Sequence, residues 1–135
     1  MTSHIELFSI HQIPNKMSTE IKKVLVTGGS GKAGRAVVKE LVAHGYDVVN
    51  VDIAPPKEDL GVPFVKVDLN KFDEVLAVLK GQDAVVHLAA IPAPGIKSEE
   101  ETFSNNIITT FNVFQVRIKV FVSMSAKDQL TAVYY

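Results

Sequence analysis

Three features of the chain predict an open α/β sheet of parallel strands with helices on both faces. Short apolar runs, too continuous for a strand with one wet face, recur at residues 22–27, 46–51, 63–67 and 83–88. Apolar residues at helical spacing separate them, at residues 35–44, 70–80 and 98–115. Turn formers stand at the junctions: Gly28, Gly45, Pro55-Pro56, Gly81 and Pro92 to Gly95. Unbroken Val and Leu runs are what a parallel strand needs when both of its faces are covered, and parallel neighbours must be joined by a crossover, usually a right-handed one through a helix.

The elements follow in order. Val24, Leu25 and Val26 make the first strand a buried one, and Val37, Val38, Leu41 and Val42 give the next segment one apolar face before Gly45 stops it. A second strand ends at Asp52, Pro55-Pro56 opens a loop, and a third strand ends at Asp68. Asn70 or its neighbour caps a helix whose face is Phe72, Val75, Leu76 and Leu79. A fourth strand precedes the Pro92 loop, and Phe103, Ile107, Thr110, Phe111 and Phe114 then form a helical stripe behind Glu99, Glu100 and Glu101, which suit the positive end of a helix. Residues 120–123 are expected to form a short fifth strand.

Composition sets the limits. A chain of 135 residues with 47% hydrophobic and 21% charged residues supports one domain with a core, not a nucleotide domain plus a substrate domain. Fourteen basic residues against fifteen acidic ones, with no basic block, give no electrostatic draw toward nucleic acid or anionic lipid. The absence of cysteine excludes disulfides and thiolate metal sites, and fits a reducing, cytoplasmic setting. His4, His11, His44 and His87 have no partners at ligand spacing, so no metal is expected, and His87 is read as packing within the sheet. Residues 1–16 mix apolar residues with Glu6, His11 and Gln12 and read as a disordered extension rather than a leader, and no apolar run reaches the roughly 18 to 20 residues of a membrane span.

The residues that carry chemistry lie where the first strand empties into Gly28-x-x-Gly31-x-x-Gly34. Gly28 can make the sharp turn, Gly31 lets backbone approach a diphosphate, and Gly34 permits close packing of the new helix. Amide groups of Ser30, Lys32 and Ala33 sit around the helix start, where unpaired donors and the helix dipole favour an anion. Asp52, about twenty residues on, is placed to accept hydrogen bonds from ribose hydroxyls and to repel a 2′-phosphate, so NAD is expected over NADP. Lys32 and Arg35 oppose that preference in part. The glycine loop, Asp52, Asp68 and Ala89-Ala90 all fall at the carboxyl ends of the strands, where open α/β sheets bind ligands.

Over residues 22–115 these motifs resemble the extended short-chain dehydrogenase/reductase superfamily, in particular its NAD-dependent epimerase/dehydratase group acting on sugars and sugar nucleotides. The matching elements are the loop 27–34, Asp52, Val67-Asp68-Leu69, His87-Leu88-Ala89-Ala90, and Asn106 with Thr109, Thr110, Asn112 and Val113 in the following helix. The resemblance implies a Rossmann-like doubly wound parallel sheet, truncated at its C-terminal end and formed by residues 17–115. It also implies that Asp68 and Leu69 touch adenine, that Leu88, Ala89 and Ala90 flank the ribose and diphosphate, and that Asn106 lies near the cofactor while tying its helix to a neighbouring strand.

The chain departs from that family after Gln115. Relatives carry a Tyr-x-x-x-Lys pair in which lysine lowers the tyrosine pKa for proton transfer. Here no lysine lies four residues beyond Tyr134 or Tyr135, and Ser123 and Ser125 stand alone as counterparts of the serine region. Catalytic residues are therefore unassigned. Residues 116–135 are expected to be an atypical tail, either the short fifth strand or a continuation foreign to the domain. The expected function is the NAD-binding part of a sugar or sugar-nucleotide epimerase, dehydratase or dehydrogenase, with a sugar substrate only in a full-length form. A non-catalytic dinucleotide-binding regulatory module and a product without function are the alternatives.

Overall fold

The computed structural model of the chain describes residues 20–123, with side chains through residue 117. The expected extension at residues 1–16 lies outside the described residues, as do Ser125, Tyr134 and Tyr135. The order of elements is β1 Lys23–Thr27, α1 Lys32–Ala43, β2 Asp47–Asp52, β3 Phe64–Lys66, α2 Phe72–Leu79, β4 Ala84–His87 and α3 Glu99–Ser123. The strands form one parallel sheet in the order β3-β2-β1-β4. From β1 the chain steps outward to β2 and β3, then returns across β1 to lay β4 on its other side. Connections leaving β1 and β4 therefore diverge, which opens a crevice at their carboxyl ends.

Alternation along the strands feeds two cores. Leu25, Val51 and Val85 point to one face, where Val75 and Leu79 of α2 and Val113 and Val116 of α3 cover them. Val24, Val26, Val48, Ala84 and Val86 point to the other, against Val38 of α1. This double covering is why the strands read as unbroken apolar runs. The crossover from β2 to β3 uses no helix: residues 53–63 run as loop, and buried Leu60 fills the place that a helical side chain would take in the α1-side core. That loop is anchored at its far end, where the Asn50 amide N–H donates to the Pro63 carbonyl at 2.9 Å.

One sequence expectation is corrected. Residues 116–123 continue α3 and do not form a fifth strand. The alternating Val116-Arg117-Ile118-Lys119-Val120 mimics a strand, but no glycine or proline interrupts residues 99–123, and Thr109, Asn112, Val113 and Val116 already lie buried at helical spacing. The stripe predicted on α3 exists but faces outward, with Phe103, Ile107, Phe111 and Phe114 all exposed. Its buried side includes polar groups: the Asn112 amide donates to the Leu69 carbonyl at 2.9 Å and ties α3 to the segment after β3. The start of α3 is closed reciprocally, since the Glu101 N–H donates to Ser98 Oγ and the Ser98 N–H to Glu101 Oε2, at 3.1 and 3.3 Å. The N-cap of α2 is Lys71, Asn70's neighbour.

Candidate functional site

The crevice is bordered by the loop leaving β1, the end of β2 and the segment leaving β4. Gly28 turns the chain with φ +69°, and a Cβ there would stand 2.7 Å from the Ala89 nitrogen. Gly34, the third helical position of α1, lies so close to the Gly28 carbonyl and Gly29 that a Cβ would overlap them. Both glycines are demanded by the protein's own packing. Gly31 differs: its φ of −72° suits any residue, and a Cβ would meet only the Gly28 carbonyl at 3.3 Å. The bare backbone of Gly31 therefore leaves room on the open side, directly before exposed Lys32 and Ala33 at the start of α1. No side chain caps that helix. Its first amides therefore lack a side-chain acceptor, and uncapped amides at a helix start form a donor set suited to an anionic group.

The loop is held from β2 by three successive residues. The Gly28 N–H donates to the Val51 carbonyl at 2.8 Å, the Asn50 amide donates to Ser30 Oγ at 3.2 Å, and the Ser30 N–H donates to Asp52 Oδ2 at 3.1 Å. Asp52 Oδ1 accepts from the Ile53 N–H at 2.7 Å, so both carboxylate oxygens are oriented by backbone. Arg35, one turn into α1, reaches Glu58 at 3.5 Å, and Lys39 reaches the same oxygen at 3.1 Å. Glu58 thus draws two cations of α1 to the β2–β3 loop.

On the β4 side, Thr27 Oγ1 accepts from the N–H groups of Leu88 and Ala89 at 3.2 and 3.3 Å. Its own hydrogen is left for His87 Nδ1, at 2.7 Å, which places the ring proton on Nε2, and Nε2 then donates to Thr110 Oγ1 at 3.1 Å. Burial pushes the His87 pKa below its ordinary value, in keeping with a neutral ring. Asn106 Oδ1 accepts from the Ile91 N–H at 2.8 Å while its amide donates to the Ile91 carbonyl at 3.2 Å. A cleft of about 410 Å³ opens beside them, lined by Ile91, Pro92, Pro94, Phe103, Asn106 and Ile107. A larger hollow of about 590 Å³ lies at the opposite end of the sheet, between Lys22, His44 and Tyr46, away from every residue of the crevice.

The structure brings Gly28, Ser30, Gly31, Lys32, Ala33, Gly34, Asp52, Leu88, Ala89 and Ala90 to one rim, with Asn106 behind it. Asp68 stands at the neighbouring end of β3, its carboxylate held below the usual range by hydrogen bonds from the side chain and then the backbone of Asn70. Leu69 buries its side chain in the core, which leaves only its backbone near the rim. Sequence reasoning missed Asn50, Glu58 and the link through Thr110. Asn50 did carry a signal, as a lone amide inside Val48-Val49-Asn50-Val51.

Comparison with known proteins agrees with the fold. The sequence pattern described as the NAD dependent epimerase/dehydratase family matches residues 24–130, running past Gln115. The bifunctional protein GAL10 of Pachysolen tannophilus is 36% identical over 108 residues, covering 69% of this chain and 16% of that protein. The human sterol-4-alpha-carboxylate 3-dehydrogenase, decarboxylating, is 34% identical over 96 residues, covering 71% of this chain and 26% of that enzyme. Among solved structures, the UDP-glucose 4-epimerase of Thermus thermophilus in complex with NAD superposes with a TM-score of 0.64 at 30% identity, covering 72% of this chain and 34% of that one. The chain thus spans about a third or less of the length of these relatives.

Proposed function

Since the chain belongs to the NAD dependent epimerase/dehydratase family, we propose that its described part is the cofactor-holding half of such an enzyme and that the 135-residue chain binds NAD without turning over a sugar. One observation carries the reading: Gly31 is the motif glycine that the protein's own packing does not require, so its missing side chain serves something outside the chain. A diphosphate against the amides at the start of α1 fits that space, with Ser30, Lys32 and Ala33 around it. When bound, NAD supplies the hydride chemistry; the residues of the crevice bind and orient it.

Asp52 then faces the adenine ribose. Its two oxygens, each held by one amide, keep lone pairs free for ribose hydroxyls. A 2′-phosphate placed about 4 Å away would cost about 4 kcal/mol per charge pair at an effective dielectric near 20, which favours NAD over NADP. Asp68, Leu88, Ala89, Ala90 and Asn106 complete the adenine, ribose and diphosphate borders. A sugar or sugar nucleotide would be the substrate of a full-length enzyme of this kind, in which a Tyr-x-x-x-Lys pair completes the site. A non-catalytic dinucleotide-binding module would use the same crevice.

Calorimetric titration of the purified chain with NAD tests the proposal. Binding is expected, and Gly31→Val should abolish it in a sample that circular dichroism shows to be folded. Affinity that survives this substitution in a folded sample would overturn the reading. Assays of hydride transfer with sugar acids and nucleotide sugars should show no turnover.

A further inference from the structure

Asn50 is fully buried, yet an apolar residue of its size would suit the surrounding core better. Its Oδ1 has no hydrogen-bond partner among the described residues and lies against Gly29, where any Cβ would overlap it. An unpaired buried acceptor is a standing cost to stability, and exchanging such a group for an apolar one is often neutral or favourable. The amide's other half makes one contact: Nδ2 donates to Ser30 Oγ. Ser30 in turn uses its backbone N–H to hold Asp52 Oδ2. Gly29 and Asn50 are thus matched so that a side chain beneath the loop can reach through to Ser30.

We propose that Asn50 is a positioning residue for coenzyme choice: by holding Ser30 from below, it keeps the Ser30 N–H on Asp52 and so aims the carboxylate that separates NAD from NADP. Asn50 itself touches neither coenzyme. The inference rests on the NAD-binding reading above and adds the means by which Asp52 is kept in place. Without the amide, Ser30 loses its tether, Asp52 loses one of its two orienting donors, and the carboxylate both binds ribose less well and repels a 2′-phosphate less strongly. A general loosening of the loop would instead weaken both coenzymes by one factor.

The test is the ratio of NAD to NADP affinity, measured by calorimetry on the full 135-residue chain with folding followed by circular dichroism. Asn50→Leu should lower NAD affinity about tenfold and NADP affinity by less than about threefold, the size expected for one hydrogen bond acting on a charged group. Ser30→Ala removes the same bond from the half-buried loop side without changing a core side chain. It should move the ratio the same way, and the double variant should move it no further than either single one. If Asn50→Leu fails to fold, Ser30→Ala carries the decision. An unchanged ratio in Ser30→Ala, or equal losses for both coenzymes, overturns the role of Asn50 alone. Failure of the unsubstituted chain to bind NAD overturns this inference together with the reading beneath it.

Discussion

Asn106 grips Ile91 with both ends of its amide, taking the Ile91 N–H at 2.8 Å and giving a hydrogen to the Ile91 carbonyl at 3.2 Å. The contact fastens the second turn of α3 to the segment leaving β4, on the border of the crevice. Asn106→Leu keeps the branched shape but strands both backbone groups. The expected loss is about 1 to 3 kcal/mol, or roughly 4 to 8 °C per kcal/mol for a domain of this size. Thermal unfolding measures it, and hydrogen exchange should quicken at the Ile91 amide first.

Glu58 draws Arg35 and Lys39 toward the β2–β3 loop. Glu58→Gln releases both cations at the helix that follows the glycine loop. NADP affinity is expected to rise a few-fold, by about the 0.2 to 1 kcal/mol typical of exposed ion pairs, with NAD affinity nearly unchanged. The gain should shrink in high salt. Paired titrations with the two coenzymes at low and high ionic strength check this.

His87 couples stability to pH. Its pKa in the fold is lowered by burial, so below the unfolded value of about 6.5 the unfolded chain takes up a proton before the folded one does. Stability from this residue is complete above about pH 6.5 and is lost as pH falls toward the folded pKa, with a slope of at most about 1.4 kcal/mol per pH unit. His87→Phe should flatten that part of the urea-denaturation profile. A profile identical to that of the unsubstituted chain would show that the ring takes up its proton over the same pH range in both states, so that burial does not shift it.

Gly34 and Gly31 should respond unequally to the same small change. Gly34→Ala forces a methyl group into the Gly28 and Gly29 backbone, and overpacking of this kind costs about 1 to 3 kcal/mol. Gly31→Ala should leave the urea midpoint within error, because its φ is ordinary and one neighbour at 3.3 Å can give way. Denaturation of the two variants side by side decides the matter without any ligand.

Asp83 accepts from the N–H groups of both Lys22 and Lys23, at 2.9 and 2.8 Å, and fixes the entry of β1 beside that of β4. The Lys23 amide, then the Lys22 amide, hold its pKa below the ordinary carboxylate value. Its contribution is present above the unfolded pKa near 4 and disappears as pH falls through the folded one. Asp83→Asn should therefore lower the melting temperature at pH 7 and leave it nearly unaltered at the most acidic pH at which the chain still folds.

Strands and crossovers were legible because burial on two faces writes itself as unbroken apolar runs, as in Val24-Leu25-Val26, and because Gly45 and Gly81, both at positive φ, close their helices where the pattern stops. The glycine loop was legible because turn, close approach and helix start need glycine for separate reasons. Periodicity could not say which side of α3 is covered: Phe103, Ile107 and Phe111 have helical spacing, yet the sheet takes Thr109, Val113 and Val116. Nor could it separate strand from helix at residues 116–120, where alternate valines fit both until the absence of a breaker decides. The tethers beneath the loop were hidden for another reason. Asn50 and Glu58 gain meaning from partners about 20 residues away, which no local pattern reports.

The crossover from β2 to β3 has no helix or strand of its own over residues 53–63; hydrogen bonds at its ends, the Leu60 plug and the ion pairs of Glu58 with α1 hold it. Glu58 rides on that irregular stretch. On the NAD-binding reading, changes in its length or charge would alter the electrical surroundings of the adenine ribose while the hydrogen-bonded ladder stays intact, which would make coenzyme preference a property of a loop rather than of the sheet.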